Sequence, residues 1–210
     1  MNTSKPKYYS IAVFFVCLFV FPLSIAIGST KDTQKFIDGY RNTYSTNGHS
    51  KSKGLNINIS YPKSWLSKEG ERPNIVQKFI SSGGTGRENA LIITRALPNQ
   101  AGTTIPKQEI NDILNISEIK NMLPAGSTYI AANKTKIAGL PAVAVEYSIR
   151  YARAGKEVYL QNISYIFIYK TILVQLQCWV SSTKPTDLAQ RMAEFKPLFL
   201  LMAKSITLNK

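Results

Sequence analysis

The chain has 210 residues, a length that suits one domain with a substantial core. It contains 26 Lys and Arg against 12 Asp and Glu, which gives a formal net charge of +14 at pH 7. With one histidine and two cysteines it lacks the clustered ligands of a zinc site, and it offers little material for a Ser-His or Cys-His catalytic pair.

Residues 1–28 have the pattern of a secretory signal peptide. Two lysines precede an almost wholly apolar run from Ile11 to Ile27, and Ala26 and Gly28 place small residues before a possible cleavage site. We therefore predict export, to the periplasm or out of the cell, with cleavage after Gly28. The alternative is an uncleaved N-terminal membrane anchor, because the apolar run is just long enough to span a bilayer.

Cleavage at that position changes the charge and the cysteine content. Loss of Lys5 and Lys7 leaves 24 Lys and Arg against 12 Asp and Glu, so the formal charge of the mature chain is +12. Only Cys178 remains of the two cysteines, so no disulfide can form within the mature chain. Because Cys178 lies in the apolar stretch VQLQCWV, we predict a buried and unreactive thiol.

Residues 29–53 are polar and rich in Ser, Thr, Asn and Lys, without sustained periodicity. This composition predicts a flexible, basic tether between the signal peptide and a folded domain spanning residues 54–210. The single histidine, His49, falls in the tether. It is therefore expected to be solvent-exposed and to lie away from any nucleophile of the domain.

The stretch LNINISYPKSW opens the domain with a strand in which Leu55, Ile57 and Ile59 alternate with polar residues. Pro62 ends the pattern, and Trp65 behind it is either a structural corner or an aromatic platform for a ligand. The stretches NIVQKFIS, with regular alternation, and ALIITRAL predict two further strands joined by a glycine-rich hairpin loop.

The middle of the chain predicts a helix in TTIPKQEINDILNISEIKNMLP, with a break near residues 115–117. Four strands in hairpin spacing follow, at about Ser127–Lys136, Ala142–Arg150, Val158–Tyr169 and Ile172–Ser181. The last two are apolar on both faces, which is typical of central strands covered by helices on either side. A final helix is predicted over Pro185–Ser205, with a kink or restart at Pro197.

Four landmarks in this order resemble the PsbP-like superfamily. They are a strand that ends in Tyr61-Pro62 with Trp65 behind it, a helix that ends in MLPAG, the turn and strand KIAGLPAVAVEY, and the final helix EFKPLFLLMAKSI. The superfamily includes the extrinsic subunit of the photosynthetic oxygen-evolving complex and bacterial envelope proteins of the DcrB type. The resemblance covers about residues 54–208.

The resemblance implies a single α+β domain, with a mainly antiparallel sheet of about six to seven strands flanked by helices on both faces. It also implies a non-enzymatic binding or assembly role. Pro62 would end its strand because proline cannot donate to the ladder, Trp65 would plug one end of the core, and Gly139 and Pro141 would form a turn into a core strand. No catalytic, metal-binding or cofactor-binding residue carries over, and nothing specifically supports a photosynthetic role.

The excess of basic residues is the remaining functional signal. The candidate contact surface combines a group near the start of the domain with a group around a hairpin turn: Lys51, Lys53, Lys63, Lys68 and Arg72, and Arg150, Arg153 and Lys156. Such a field attracts an anionic membrane or an acidic protein, unless it serves only solubility. Nucleic acid is not expected, because no readout motif is present.

The leading hypothesis is therefore an exported, non-catalytic binding or assembly module of the cell envelope with an anionic partner. One alternative is a carrier of a small apolar ligand, with a cleft between helix and sheet. The other is a hydrolase with paired carboxylates such as Glu146 and Glu157, although Glu146 is expected to meet a Lys or Arg instead.

Overall fold

The computed structural model describes residues 30–97, 104–153 and 155–209, except for the side chain of Arg153. The signal peptide and cleavage site expected from the sequence lie outside these residues. The helices are α1 Lys31–Ile37, α2 Lys107–Ile113, α3 Ile116–Asn121 and α4 Leu188–Lys204. The strands are β1 Arg41–Ser45, β2 Ile57–Pro62, β3 Leu66–Glu69, β4 Ile75–Ile80, β5 Glu88–Ala96, β6 Thr128–Ile137, β7 Leu140–Arg153, β8 Lys156–Tyr169, β9 Ile172–Ser182 and β10 Thr207–Leu208.

Seven of the strands form one antiparallel sheet in the order β3-β4-β5-β9-β8-β7-β6. A second, three-stranded sheet has the order β1-β2-β10. The predicted fold class, a single α+β domain with a mainly antiparallel sheet, is confirmed. The predicted central place of β8 and β9 is confirmed as well.

Hydrophobic residues pack on both faces of the seven-stranded sheet. On β8, Phe167 belongs to a large cluster that includes α1, β2 and α4, whereas its neighbours Ile166 and Ile168 belong to a smaller cluster with α2 and α3. Because successive side chains of a strand point to opposite faces, helices cover both faces, as predicted. We call the two faces the α4 side and the α2–α3 side.

The predicted tether is wrong for residues 30–53, which are folded. Thr30 caps α1 by accepting a hydrogen bond from the Thr33 backbone N–H at 3.1 Å, and Phe36 is 2% exposed in the large cluster. All five residues of β1 pair with β2. His49 accepts a hydrogen bond from the Lys51 backbone N–H and caps a short 3₁₀ turn. One buried aromatic and an edge strand are enough to anchor this polar segment.

Trp65 is a structural corner rather than an exposed platform. Its side chain is 3% exposed and packs edge-on against Phe199 of α4, with ring centroids 6.4 Å apart. The indole N–H donates to Asp32 of α1 at 2.9 Å. Pro62 is the last residue of β2, and its carbonyl accepts the Trp65 backbone N–H.

The predicted turn at Gly139 joins β6 to β7. Ala138 and Gly139 have φ values of 48° and 79°, so both lie in the left-handed region used by tight hairpin turns. Pro141 is the second residue of β7 and pairs with Lys136 of β6.

Three details of the strands differ from the predictions. The regular alternation expected in β4 is interrupted by a bulge between Ile75 and Gln77, so that Val76 and Phe79, three residues apart, both reach the large cluster. The short strands β3 and β10 were not predicted, because their pairing with β4 and β2 gives no periodic signal over so few residues.

β9 is not apolar on both of its faces. Val174, Leu176 and Cys178 lie in the large cluster, whereas Gln175 and Gln177 point to the α2–α3 side and are half-buried. Cys178 is fully buried, as predicted, and burial raises the pKa of its thiol.

The predicted break in the middle helix is confirmed, because α2 ends at Ile113 and α3 begins at Ile116. The Asn115 side chain caps α3 by accepting a hydrogen bond from the Ser117 backbone N–H at 3.1 Å. Of the kink or restart predicted at Pro197, the restart does not occur, because α4 continues through the proline as one helix. Proline leaves one helical hydrogen bond unmade, and the buried side chains of Leu198 and Phe199 hold the segment in place. None of the helices in the described ranges is long and apolar enough to cross a membrane.

Candidate binding site

The structure pairs several of the predicted basic residues with acids. Lys51 is half-buried; its ammonium lies 2.7 Å from Glu69 and donates to the Gly70 carbonyl at 2.5 Å. The hydrogen bond from the Lys51 ammonium to the Glu69 carboxylate, together with the positive charge of Lys51, lowers the pKa of Glu69. Lys68 lies 3.7 Å from Glu71. Lys51 is therefore a structural residue rather than a free contact.

The second predicted group lies at the end of the β7–β8 hairpin. Arg150 pairs with Glu157 across the two strands at 3.1 Å, and Lys156 is exposed in the turn region. The side chain of Arg153 lies outside the described residues. Lys63 and Arg72 are exposed and make no ion pair with any residue that the structure describes.

The strand register instead assembles a set of cations on the α2–α3 side. Lys68 of β3 lies opposite Lys78 of β4, which lies opposite Leu91 of β5. Arg95 of β5 and Arg87, the residue directly before β5, lie at positions that alternate with the α4-side residue Glu88, and the Arg87 carbonyl accepts the Ser181 backbone N–H next to the ladder of β9. With a lysine that lies at the edge of the same side, these residues form what we call the basic face: Lys53, Lys68, Lys78, Arg87 and Arg95.

Most of the basic face is free of acidic partners. Within the described part of the chain, Lys53, Lys78, Arg87 and Arg95 make no side-chain ion pair, and only Lys68 has one. Of the two acids adjacent in sequence to the basic face, Glu69 pairs with Lys51, and Glu88 points to the α4 side, where it pairs with Arg191 and accepts from the Ser81 hydroxyl. The face is therefore positively charged and uncompensated.

A cavity of about 470 Å³ opens beside the basic face, between α3 and the sheet. We call it the polar cavity. Its rim is formed by the hydrophilic residues Lys53, Asn74 and Arg95. One wall comes from the end of α3 and the following loop, with Ile119, Met122, Leu123 and Pro124. The floor comes from β7, β8 and β9, with Tyr147, Ser164, Gln175 and Gln177.

The floor of the polar cavity is a hydrogen-bonded network. The Gln177 amide donates to the Tyr147 hydroxyl at 3.0 Å and to Asn162 at 3.1 Å, and the Gln175 amide donates to the Ser164 hydroxyl at 2.9 Å. Burial raises the pKa of the Tyr147 hydroxyl, and a hydrogen bond with Ser164 partly opposes the shift. Asn162 is 1% exposed, and its amide nitrogen has no partner among the described residues.

The carboxylates considered for catalysis lie elsewhere. Glu146 meets a lysine, as predicted, but this residue is Lys196 of α4, at 2.6 Å on the α4 side. Glu146 also accepts from Gln161, and Glu157 lies at the hairpin end with Arg150. No Asp or Glu lines the polar cavity. Across residues 30–97, 104–153 and 155–209, no group of three or more His, Cys, Asp or Glu could hold a metal ion.

Sequence reasoning missed the polar cavity and three of the five residues of the basic face. The signal was present in VQLQCWV, where two glutamines alternate with apolar residues. Lys78, Arg87 and Arg95 stand alone in sequence, so no charge cluster marked them, and only the strand register places them on one face.

The chain matches no family model, and it matches no curated protein. Among solved structures it resembles the cyanobacterial PsbP of Synechocystis sp. PCC 6803, with a TM-score of 0.48 and 15% identity over 81% of this chain and 93% of that one. It also resembles LpqN, involved in cell envelope biogenesis of Mycobacterium tuberculosis (TM-score 0.48, 11% identity, 87% and 99% coverage), and the Ran-binding protein Mog1p of Saccharomyces cerevisiae (0.45, 8%, 80% and 95%).

Proposed function

We propose that this protein is an exported, non-catalytic binding module of the cell envelope, and that it docks an acidic protein partner on its basic face. The observation that carries the proposal is the set of four cations without acidic partners on one side of the sheet, Lys53, Lys78, Arg87 and Arg95. A field of one sign attracts and orients a partner of the opposite sign. Export rests on the sequence pattern of residues 1–28.

A protein partner fits this surface better than a lipid plane. The basic face borders a concave cavity, and the same side of the sheet carries Trp179, half-buried between Asn89 and Asn162 of the neighbouring strands. Side chains of a polypeptide can enter a concave surface and pack on an indole ring, as at protein–protein interfaces. A flat array of headgroups makes less contact with such a surface.

The chemistry of the cavity supports a binding role over catalysis. General acid–base catalysis is most often carried out by His, Asp or Glu, and none of these lines the cavity, whose ionisable residues are Lys53, Arg95 and Tyr147. Glu146 is neutralised by Lys196 on the opposite side of the sheet, and His49 caps a turn.

The proposal is tested by removing equal charge from two surfaces. One variant replaces Lys53, Lys78, Arg87 and Arg95 with Gln. Its control replaces Lys35, Lys63, Lys156 and Lys184, which are exposed, have no acidic partner in the described chain, and lie away from the basic face. Binding is measured to immobilised polyglutamate and to phosphatidylglycerol vesicles, at low and at physiological salt.

The basic-face variant is expected to bind polyglutamate about tenfold more weakly, with a smaller change in the control. Wild-type binding is expected to weaken as salt rises, because exposed charges are screened beyond about 8 Å at physiological ionic strength. Folding stability should not change, since exposed charges contribute little to it. If both variants lose binding equally, or if binding does not depend on salt, the proposal is wrong and the basic residues serve only solubility. A loss confined to vesicles would make the partner a membrane.

A further inference from the structure

We propose that the polar cavity binds a carboxylate joined to an amide and a short aliphatic group, as found in an acylated amino acid and at the C-terminus of a peptide. This goes beyond the docking of an acidic protein, because it concerns one small group enclosed between α3 and the sheet rather than the field of a whole face. Three parts of the cavity carry the inference, and each selects a different part of the ligand.

The rim selects the carboxylate. Lys53 and Arg95 come from separate segments, and the Thr94 hydroxyl, which donates to the Lys51 carbonyl at 2.8 Å, ties the two segments together. Lys53 has a φ of 55°, in the left-handed region, at the end of the turn that presents it. Both side chains offer only hydrogen-bond donors, and within the described residues neither has an acidic partner. A carboxylate satisfies both through charge-assisted hydrogen bonds.

The floor selects an amide. Gln175 and Gln177 use their amide nitrogens within the network, whereas their carbonyl oxygens accept no hydrogen bond from any described side chain. These oxygens are not among the buried side-chain atoms that lack a partner in the described residues, so they are open to the cavity. A ligand N–H pointing at the floor can donate to them in place of water. Because both amide oxygens can only accept hydrogen bonds, they would repel a second carboxylate at the floor of the cavity.

The wall selects a short aliphatic group. Ile119, Met122 and Leu123 line the side opposite the rim, and Met122 is 42% exposed although it borders a concave surface. Ile119 is already fully buried, so the apolar area that an aliphatic ligand group removes from water is that of Met122 and Leu123. The volume of about 470 Å³ lies within the range of roughly 300–1,000 Å³ usual for small-molecule sites.

The test compares probes that differ only in the carboxylate. N-acetyl-leucine and N-acetyl-leucinamide are titrated into the protein, and so are a short peptide ending in leucine and its C-terminal amide. Binding is followed by NMR through the side-chain amide resonances of Gln175 and Gln177. Each acid is expected to bind at least about tenfold more tightly than its amide, as a charged hydrogen bond predicts. Lys53→Gln and Arg95→Gln should each weaken the acid by about tenfold.

Arg87→Gln is the matched control, because Arg87 belongs to the basic face and does not line the cavity. Binding of N-acetyl-leucine would identify a free small molecule as a sufficient ligand, whereas binding of the peptide alone, with the same need for a carboxylate, would identify a partner's C-terminus. The inference is overturned if acid and amide bind equally, if no probe shifts the two glutamine resonances, or if Arg87→Gln weakens binding as much as Arg95→Gln. If any of these results is found while wild-type protein still binds polyglutamate, the cavity ligand is wrong and the proposed docking on the basic face still stands.

Discussion

At the scale of single residues, Trp65 connects three parts of the chain. Its indole packs against Phe199 of α4 and donates to Asp32 of α1, while its backbone follows the end of β2. Trp65→Ala is expected to lower the free energy of unfolding by roughly 3–5 kcal/mol, because it empties a buried site that only partly collapses. Denaturant unfolding measures this loss.

Trp65→Phe separates packing from hydrogen bonding. It keeps an aromatic ring against Phe199 and leaves Asp32 without the indole donor, so we expect a smaller loss than for Trp65→Ala. A Trp65→Ala protein with wild-type stability and impaired partner binding would instead mean that the indole is a contact platform.

At the scale of elements, the segment before β2 is part of the domain, because Phe36 of α1 is buried in the large cluster. Phe36→Ala is expected to lower the free energy of unfolding by about 3–5 kcal/mol. Ile37 is the matched control, since it is the next residue and its side chain is 57% exposed. Ile37→Ala should change stability by no more than about 0.5 kcal/mol. Urea unfolding of both variants makes the comparison.

Equal and small effects of the two substitutions would mean that α1 contributes nothing to the core. The segment would then behave in solution as the tether that its composition indicates, in spite of its contacts with α4 and β2.

The fold was predictable where residues of one element carry the pattern themselves. Alternation marked β2 and β4, apolar runs marked β8 and β9, and helical spacing marked α2 to α4, because each signal spans several residues. β1, β3 and β10 escaped prediction, since they are short and depend on partners elsewhere in the chain. The superfamily resemblance added the helices on both faces and the plugging role of Trp65.

The candidate site was predictable only in part, because its residues are far apart in sequence and come together only in the folded sheet. Lys53 and Lys68 were foreseen as contacts and lie on the basic face, whereas Lys51 turned out to be bound by Glu69. The glutamines of β9 meet Lys53 and Arg95 only after the sheet has formed. Their juxtaposition follows from strand order, which no local pattern encodes.

At the scale of the whole molecule, the chain is predicted to leave the cytoplasm and lose its first 28 residues. The mature protein would then begin at Ser29, one residue before the Thr30 cap of α1. Intact-mass measurement of the exported protein should give the mass of residues 29–210. Met1 retained on protein from the membrane fraction would show an anchored protein instead.

The unequal covering of the two sheet faces has a consequence for motion. α2 and α3 have seven and six residues, well below the roughly 12–15 at which a helix gains stability of its own. They are held by the smaller cluster, chiefly through Leu114 and Ile119. Weakly held layers open locally at a lower free energy than the core does. We therefore expect the wall formed by α3 to open locally at a lower free energy than β8, β9 and α4, and such an opening would widen the route into the polar cavity.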